Sequence, residues 1–153
     1  MNLSDYLNES GIVPDIAGES KEAILTNLVE ALAQFIPINK NNIVRLLEER
    51  EQLSTTGIGF EVAIPHCKTA EVSELQIVVA RSKTGVEFEA LDGKPVKLFF
   101  LLIAPEKSGS EHLKALAKIA RLAKDQDIRK TLFKLDTPKK IFDYIVEMES
   151  TLG

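Results

Sequence analysis

Apolar residues recur along this chain with more than one period, and the changes of period mark out its elements. Between Ser20 and Pro37, the residues Ile24, Leu25, Leu28, Val29, Leu32 and Phe35 follow a helical repeat. Ser20 suits the N-cap, because its short side chain can accept from a free N–H of the first turn. Pro37 ends that helix. A second helix starts at Asn39 or Asn41, carries Ile43, Leu46 and Leu47 on one face, and ends near Glu51. The pattern then turns extended. A strand over 60–64 leads to Pro65, and "LQIVVARS" at 75–82 is rich in β-branched residues. "GVEF" reads as a short strand, and Asp92-Gly93 as a turn. "VKLFFLLIA" at 96–104 is apolar throughout, as a strand covered on both faces would be.

Helical spacing returns after Ser110, which can cap a helix running to about Lys124. "DQDIRKTLFKL" predicts a shorter helix. Thr137 followed by Pro138 is an N-cap with proline at the first helical position. The last helix should bury Ile141, Phe142, Ile145 and Met148. At the start of the chain, "LSDYLNES" reads as a short helix stopped at Gly11. "IVPDI" reads as a short strand that Pro14 confines to a sheet edge. Helices, central strands and helices again predict one layered α/β domain over 1–153, with a mixed central sheet and helices on both faces.

Composition narrows the function classes. A chain of 153 residues with 44% hydrophobic and 27% charged residues can bury a core as one domain. Its net charge of −4 and the absence of a basic block argue against a nucleic-acid partner. Cys67 is the single cysteine, which excludes an internal disulfide and suits a reducing compartment. No run of apolar residues is long enough to span a membrane, and residues 1–15 lack the layout of a signal peptide. The expectation is a soluble, cytoplasmic protein without direct membrane insertion.

Three residues stand out as candidates for chemistry. The stretch "GFEVAIPHCK" places His66, one of only two histidines, after the stiff Pro65, where the chain is expected to turn into solvent. A histidine with an ordinary pKa near 6.5 is largely neutral at pH 7, so one ring nitrogen keeps a lone pair. His112 falls in the first turn of the helix after Ser110, where the helix dipole and free N–H groups favour anions. Arg50 continues the Ile43, Leu46, Leu47 stripe, and its planar fork suits a phosphate. Each also has an ordinary use: an idle loop histidine, a half-buried surface histidine, and an arginine snorkelling outward. The two histidines lie far apart without an HxxxH or CxxC pair, so neither a metal nor any other cofactor is expected. No GxxxxGK[ST] loop is present, and no cysteine-protease signature surrounds Cys67.

The stretch "STTGIGFEVAIPHCK" resembles the signature of phosphotransferase-system IIA components of the fructose–mannitol type, which include the nitrogen-regulatory IIA proteins. Thr56, Gly57, Ile58, Gly59, Ala63, Ile64, Pro65 and His66 carry the match. The likeness extends through "SKEAILTNLVEAL", "LEERE", "VEFEALDGKPVKLFFLLIAP" and "HLKALAKIARL". It implies that His66 is phosphorylated and that Arg50 and His112 complete the site. It implies a phosphohistidine carrier as donor, HPr or its nitrogen-branch counterpart. The phosphoryl group would then pass to a IIB component or serve as a regulatory switch. N–H groups of the loop at Thr55, Thr56 and Gly57 are expected to help hold the phosphate. One position departs from the family: Glu61 stands where glycine is frequent. Its carboxylate would repel a phosphohistidine, so it is expected to point away on the other face of its strand. A purely regulatory module, a metal-dependent hydrolase and a structural domain remain as alternatives.

Overall fold

The computed structural model describes residues 1–152. A 3-10 turn at Leu3–Asp5 leads into β1 (Leu7–Val13), α1 (Lys21–Ala33) and α2 (Lys40–Leu53). Three short strands follow: β2 (Gly57–Gly59), β3 (Val62–Ala63) and β4 (His66–Thr69). Then come β5 (Gln76–Val86), β6 (Val96–Pro105), α3 (Glu111–Lys124), α4 (Gln126–Lys134) and α5 (Pro138–Leu152). The strands form one mixed sheet in the order β1-β5-β6-β3-β2, with β4 also paired to β6.

β6 organises the molecule. It pairs antiparallel with β5 and parallel with β3 and β4. Successive strand residues face opposite ways, so its apolar run feeds two cores. Leu98, Phe100, Leu102 and Ala104 join Ile77 and Val79 beneath α3, α4 and α5. Phe99, Leu101 and Ile103 join Val78 and Ala80 beneath α1 and α2. The expected mixed sheet with helices on both faces is the architecture that forms.

The helix starts follow their caps. Ser20 Oγ accepts from Ala23 N at 3.1 Å, and Asn39 Oδ1 accepts from Asn42 N at 3.1 Å, which fixes Asn39 as the start of α2. Ser110 occupies the N-cap position of α3, but its side chain makes no cap bond. In α5, Ile141 and Ile145 are buried, Phe142 and Met148 only partly so. Glu149 is buried instead, and it accepts from the N–H groups of Leu3 and Ser4.

The N-terminal helix is overturned, while the edge strand expected from Ile12 forms and begins earlier. Only Leu3–Asp5 turn as a 3-10 helix, and Leu7–Val13 is an edge strand with Gly11 inside it. Pairing decides this: Leu7 lies opposite Ile77 and Ile12 opposite Val79, which buries both apolar side chains. Tertiary contacts of this kind override weak local helix preference. A Cβ on Gly11 would lie 3.0 Å from the Phe35 ring, so glycine serves close packing there. "GVEF" is likewise not a separate strand. β5 runs on to Val86 with a register shift after Arg81, and Phe88 packs edge-to-face on Phe99 with 5.5 Å between ring centres.

The strand expected over 60–64 also divides. Phe60 and Glu61 have φ of 59° and 64° and form a two-residue turn between antiparallel β2 and β3. Both central residues of a type I′ turn need such angles, and glycine or asparagine is usual there. Glu61 therefore sits on a turn rather than on a strand face. Its carboxylate lies 3.5 Å from Lys97 Nζ, and its carbonyl accepts from Lys97 N and Leu98 N at 2.9 and 3.1 Å. A left-handed conformation costs a non-glycine residue about 1–2 kcal/mol. The greater entropy of glycine offsets part of that gain, and the exposed ion pair is worth little. Glu61→Gly is expected to raise the midpoint of thermal unfolding by about 2–4 °C, the shift of a ~1 kcal/mol gain. A fall in that midpoint by calorimetry would show that the Lys97 pair outweighs backbone strain.

Candidate functional site

β3 and β4 run along β6 in sequence, Val62 opposite Leu98 and Ala63 opposite Phe99, then His66 opposite Leu102 and Lys68 opposite Ala104. Pro65 lies between them, with no N–H to donate, and its carbonyl accepts from Leu102 N at 2.9 Å. His66 therefore begins a strand rather than turning into solvent. The sequence missed this because a histidine after proline, followed by Cys-Lys-Thr, shows neither period over enough residues.

The ring of His66 is fixed by its own backbone. Nδ1 lies 2.8 Å from the carbonyl oxygen of Ile64. A carbonyl only accepts, so Nδ1 carries the proton and Nε2 keeps the lone pair. Burial pushes the His66 pKa below its ordinary value. The Ile64 bond and Glu51 push it up, while Arg50 and His112 push it down, and the net direction is downward. The ring is held neutral near pH 7, with its tautomer set.

Arg50 extends from the last turn of α2, on the side where Ile43 and Leu47 are buried. Its Nη1 donates to the Ser54 carbonyl at 3.0 Å and approaches Ser54 Oγ at 3.3 Å. Among the described residues no carboxylate lies within ion-pair distance of it, so its charge is available to an anion. His112 is the second residue of α3. Its Nδ1 lies 3.1 Å from the Gly109 carbonyl and 3.4 Å from Ser108 Oγ. Donation to the Gly109 carbonyl places a proton on Nδ1 of this ring too.

Arg50, His66 and His112 line one open cleft of about 230 Å³, together with Cys67, Lys68, Leu102 and Ala104. Four elements contribute, α2, β4, β6 and α3, and the sheet brings their ends together. Lys68 was not singled out from the sequence. Lys68 shares the side of His66 only because 66–69 is a strand, which the sequence did not show. Cys67 is no competitor as a nucleophile, since burial, and next Glu71, push its thiol up to about 12.

Thr55, Thr56 and Gly57 do not line this cleft. Thr55 Oγ1 donates to the Phe88 carbonyl at 3.0 Å and accepts from Gly57 N at 3.1 Å. Thr56 is buried, with its N–H on Glu51 Oε1 at 3.0 Å and its hydroxyl on Glu51 Oε2. The Thr55 hydroxyl, the Thr56 N–H and hydroxyl and the Gly57 N–H are spent on holding the loop. Glu61 is also absent from the cleft lining, and Phe60 N is held by Asp92 Oδ2 at 3.1 Å.

The cleft offers a neutral imidazole, free cations and a helix start, a set suited to a phosphoryl group. The family model described as "Phosphoenolpyruvate-dependent sugar phosphotransferase system, EIIA 2" matches residues 5–148. The chain belongs to this EIIA 2 family. It is 42% identical over 132 residues to a nitrogen regulatory protein of Bradyrhizobium diazoefficiens, covering 86% of each chain. It is 35% identical over 146 residues to the fructose-specific EIIABC component of Bacillus subtilis, covering 95% of this chain and 23% of that protein. Among solved structures it resembles the nitrogen regulatory protein IIA-Ntr of Neisseria meningitidis, with a TM-score of 0.88 and 31% identity, covering 94% of this chain and 98% of that one. As an EIIA 2 protein it is a component of phosphoryl transfer or its regulation. Among the described residues no helix is long and apolar enough to cross a membrane.

Proposed function

We propose that His66 accepts a phosphoryl group on Nε2 from a phosphohistidine carrier of the HPr kind. The observation that carries this reading is the Nδ1–H bond to the Ile64 carbonyl, which aims a neutral ring into the cleft with its lone pair on the other nitrogen. The Nε2–P bond forms as the donor's N–P bond breaks, and the proton stays on Nδ1 throughout. Transfer between two imidazoles runs through a loose, in-line arrangement, so the chain's task is positioning and charge neutralisation. Arg50, Lys68 and the N-terminal turn of α3 face the roughly two negative charges that a phosphate adds. The group then passes to an acceptor of the IIB kind.

A test is incubation with phosphoenolpyruvate, enzyme I and a carrier of the HPr kind, followed by intact mass and peptide mapping. One acid-labile phosphoryl group on the peptide holding His66 is expected, and an unmodified chain would overturn the reading.

A second reading uses phosphorylation as a switch for protein partners. It is favoured by the likeness to two nitrogen regulatory proteins along most of their lengths. Pull-down with the phosphorylated and unphosphorylated chain separates the two uses. A partner retained by one form alone supports the switch.

The pKa direction gives a pH profile. Only neutral His66 has the lone pair, and its folded pKa lies below 6.5. Acceptor function is therefore more than half present at pH 6.5, rises above it, and falls as pH drops through the folded value. An NMR titration of the His66 ring protons is expected to give a midpoint on the acid side of 6.5. A midpoint above 6.5 would mean that Glu51 and the Ile64 bond outweigh burial.

A further inference from the structure

Glu51 is a buried carboxylate in the last turn of α2. Burial disfavours a charge, and the negative end of the helix dipole disfavours this one further. Lys21 compensates from the first turn of α1, with Nζ 2.9 Å from Glu51 Oε1 and 4.8 Å from the centre of the Phe88 ring. Buried pairs of this kind are weak sources of stability, and apolar residues of similar volume often do as well. What the pair does provide is a fixed anchor.

From that anchor a continuous chain of hydrogen bonds reaches the His66 ring. Glu51 accepts both the N–H and the hydroxyl of Thr56. The Thr56 carbonyl accepts from Ile64 N at 2.9 Å. The Ile64 carbonyl accepts from His66 Nδ1 at 2.8 Å. Thr56 and Ile64 are both only 4% exposed, so water does not compete along this path. The path crosses the covalent backbone of Thr56 and Ile64, so it transmits position rather than polarisation. The residue beside the anchor is Arg50, so one turn of α2 carries the cleft's cation and the tether of its imidazole.

We propose that Glu51 is a positioning residue for His66, acting through Thr56 and Ile64 to hold the ring's aim and its Nδ1–H tautomer. The proposal rests on the reading that His66 takes up the phosphoryl group. It assigns a use to Thr56 other than contact with phosphate. Glu51 acts on His66 as an ordering group acts on a metal-bound histidine, where loss of the partner typically costs about 10- to 100-fold in function.

The test uses the full chain with 15N-labelled histidine, as wild type and as Glu51→Gln, Thr56→Val and Thr56→Ser. Long-range 1H–15N correlation above pH 7 reads the His66 tautomer. Rapid mixing with the phosphorylated carrier reads phosphoryl uptake, and thermal melting checks folding. Wild type is expected to show Nδ1–H. Glu51→Gln and Thr56→Val are expected to lose that preference and to take up phosphate about 10- to 100-fold more slowly. Thr56→Ser keeps the hydroxyl and is expected to match wild type. A folded Thr56→Val with wild-type ring signals overturns the proposal whatever its uptake rate, and decides alone if Glu51→Gln does not fold. Wild-type ring signals of the Nε2–H form also overturn it. Absence of uptake by wild type instead defeats the functional reading, while the ring signals still judge the positioning role.

Discussion

His66→Ala is expected to take up no phosphoryl group. The ring that is lost is the one whose lone pair is both free and aimed, because the Ile64 carbonyl holds the proton on Nδ1. Two neighbours in the cleft carry groups of related chemistry. Cys67 does not, since its thiol is pushed up to about 12 and the thiolate is scarce at neutral pH. His112 stands in the first turn of α3 and is anchored through Nδ1 on the Gly109 carbonyl. That setting suits a contact to phosphate more than a point of attack. Folding should survive the change, because the substitution removes one hydrogen bond from a half-buried position. The measurement is intact mass after incubation with the phosphorylated carrier, alongside thermal melting. If His66→Ala is labelled while His112→Ala is not, the roles of the two histidines are reversed.

The sequence and the structure agree where signals are long. β6 and α1 were legible because many residues repeat one period, and the two cores divide β6 as alternation requires. The three cleft residues were legible as chemistry: an isolated histidine after proline, a histidine at a helix start and an arginine ending an apolar stripe. Signals failed where pairing decides. The strand nature of Leu7–Val13 depends on β5, which lies far along the chain, and its local residues suit a helix equally well. The turn at Phe60 and Glu61 left one signal, the glycine frequent at position 61 in the family, since neither residue here is usual for positive φ. Thr55, Thr56 and Gly57 looked like phosphate donors because small polar loops often are. Their bonding is set by Glu51 and Phe88, whose side chain and carbonyl reach the loop only once the chain has folded. A buried partner of that kind leaves no local pattern, and neither did Lys68 until β4 was recognised as a strand.

Arg50→Ala is expected to slow phosphoryl transfer by about 10²- to 10³-fold, the effect of losing a preorganised charged donor worth ~2.7–4 kcal/mol in a transition state. The magnitude rests on preorganisation. Nη1 is already tied to the Ser54 carbonyl at 3.0 Å, so the guanidinium plane is set before any phosphate arrives. No carboxylate among the described residues competes for it, so its charge is not neutralised in advance. Arg50→Lys should restore only part of the rate, because an ammonium is a point charge that cannot hold Ser54 and a phosphate oxygen through one rigid fork. His112→Ala should lose less than Arg50→Ala, since the free N–H groups at the start of α3 remain. The loss should fall on the transfer step more than on carrier affinity, because charge is drawn out on the migrating group only as the bonds change. Single-turnover rates at several carrier concentrations separate the two. Transfer by Arg50→Ala at the wild-type rate would leave Lys68 and the helix start as sufficient for the phosphoryl charge, and would remove Arg50 from the mechanism.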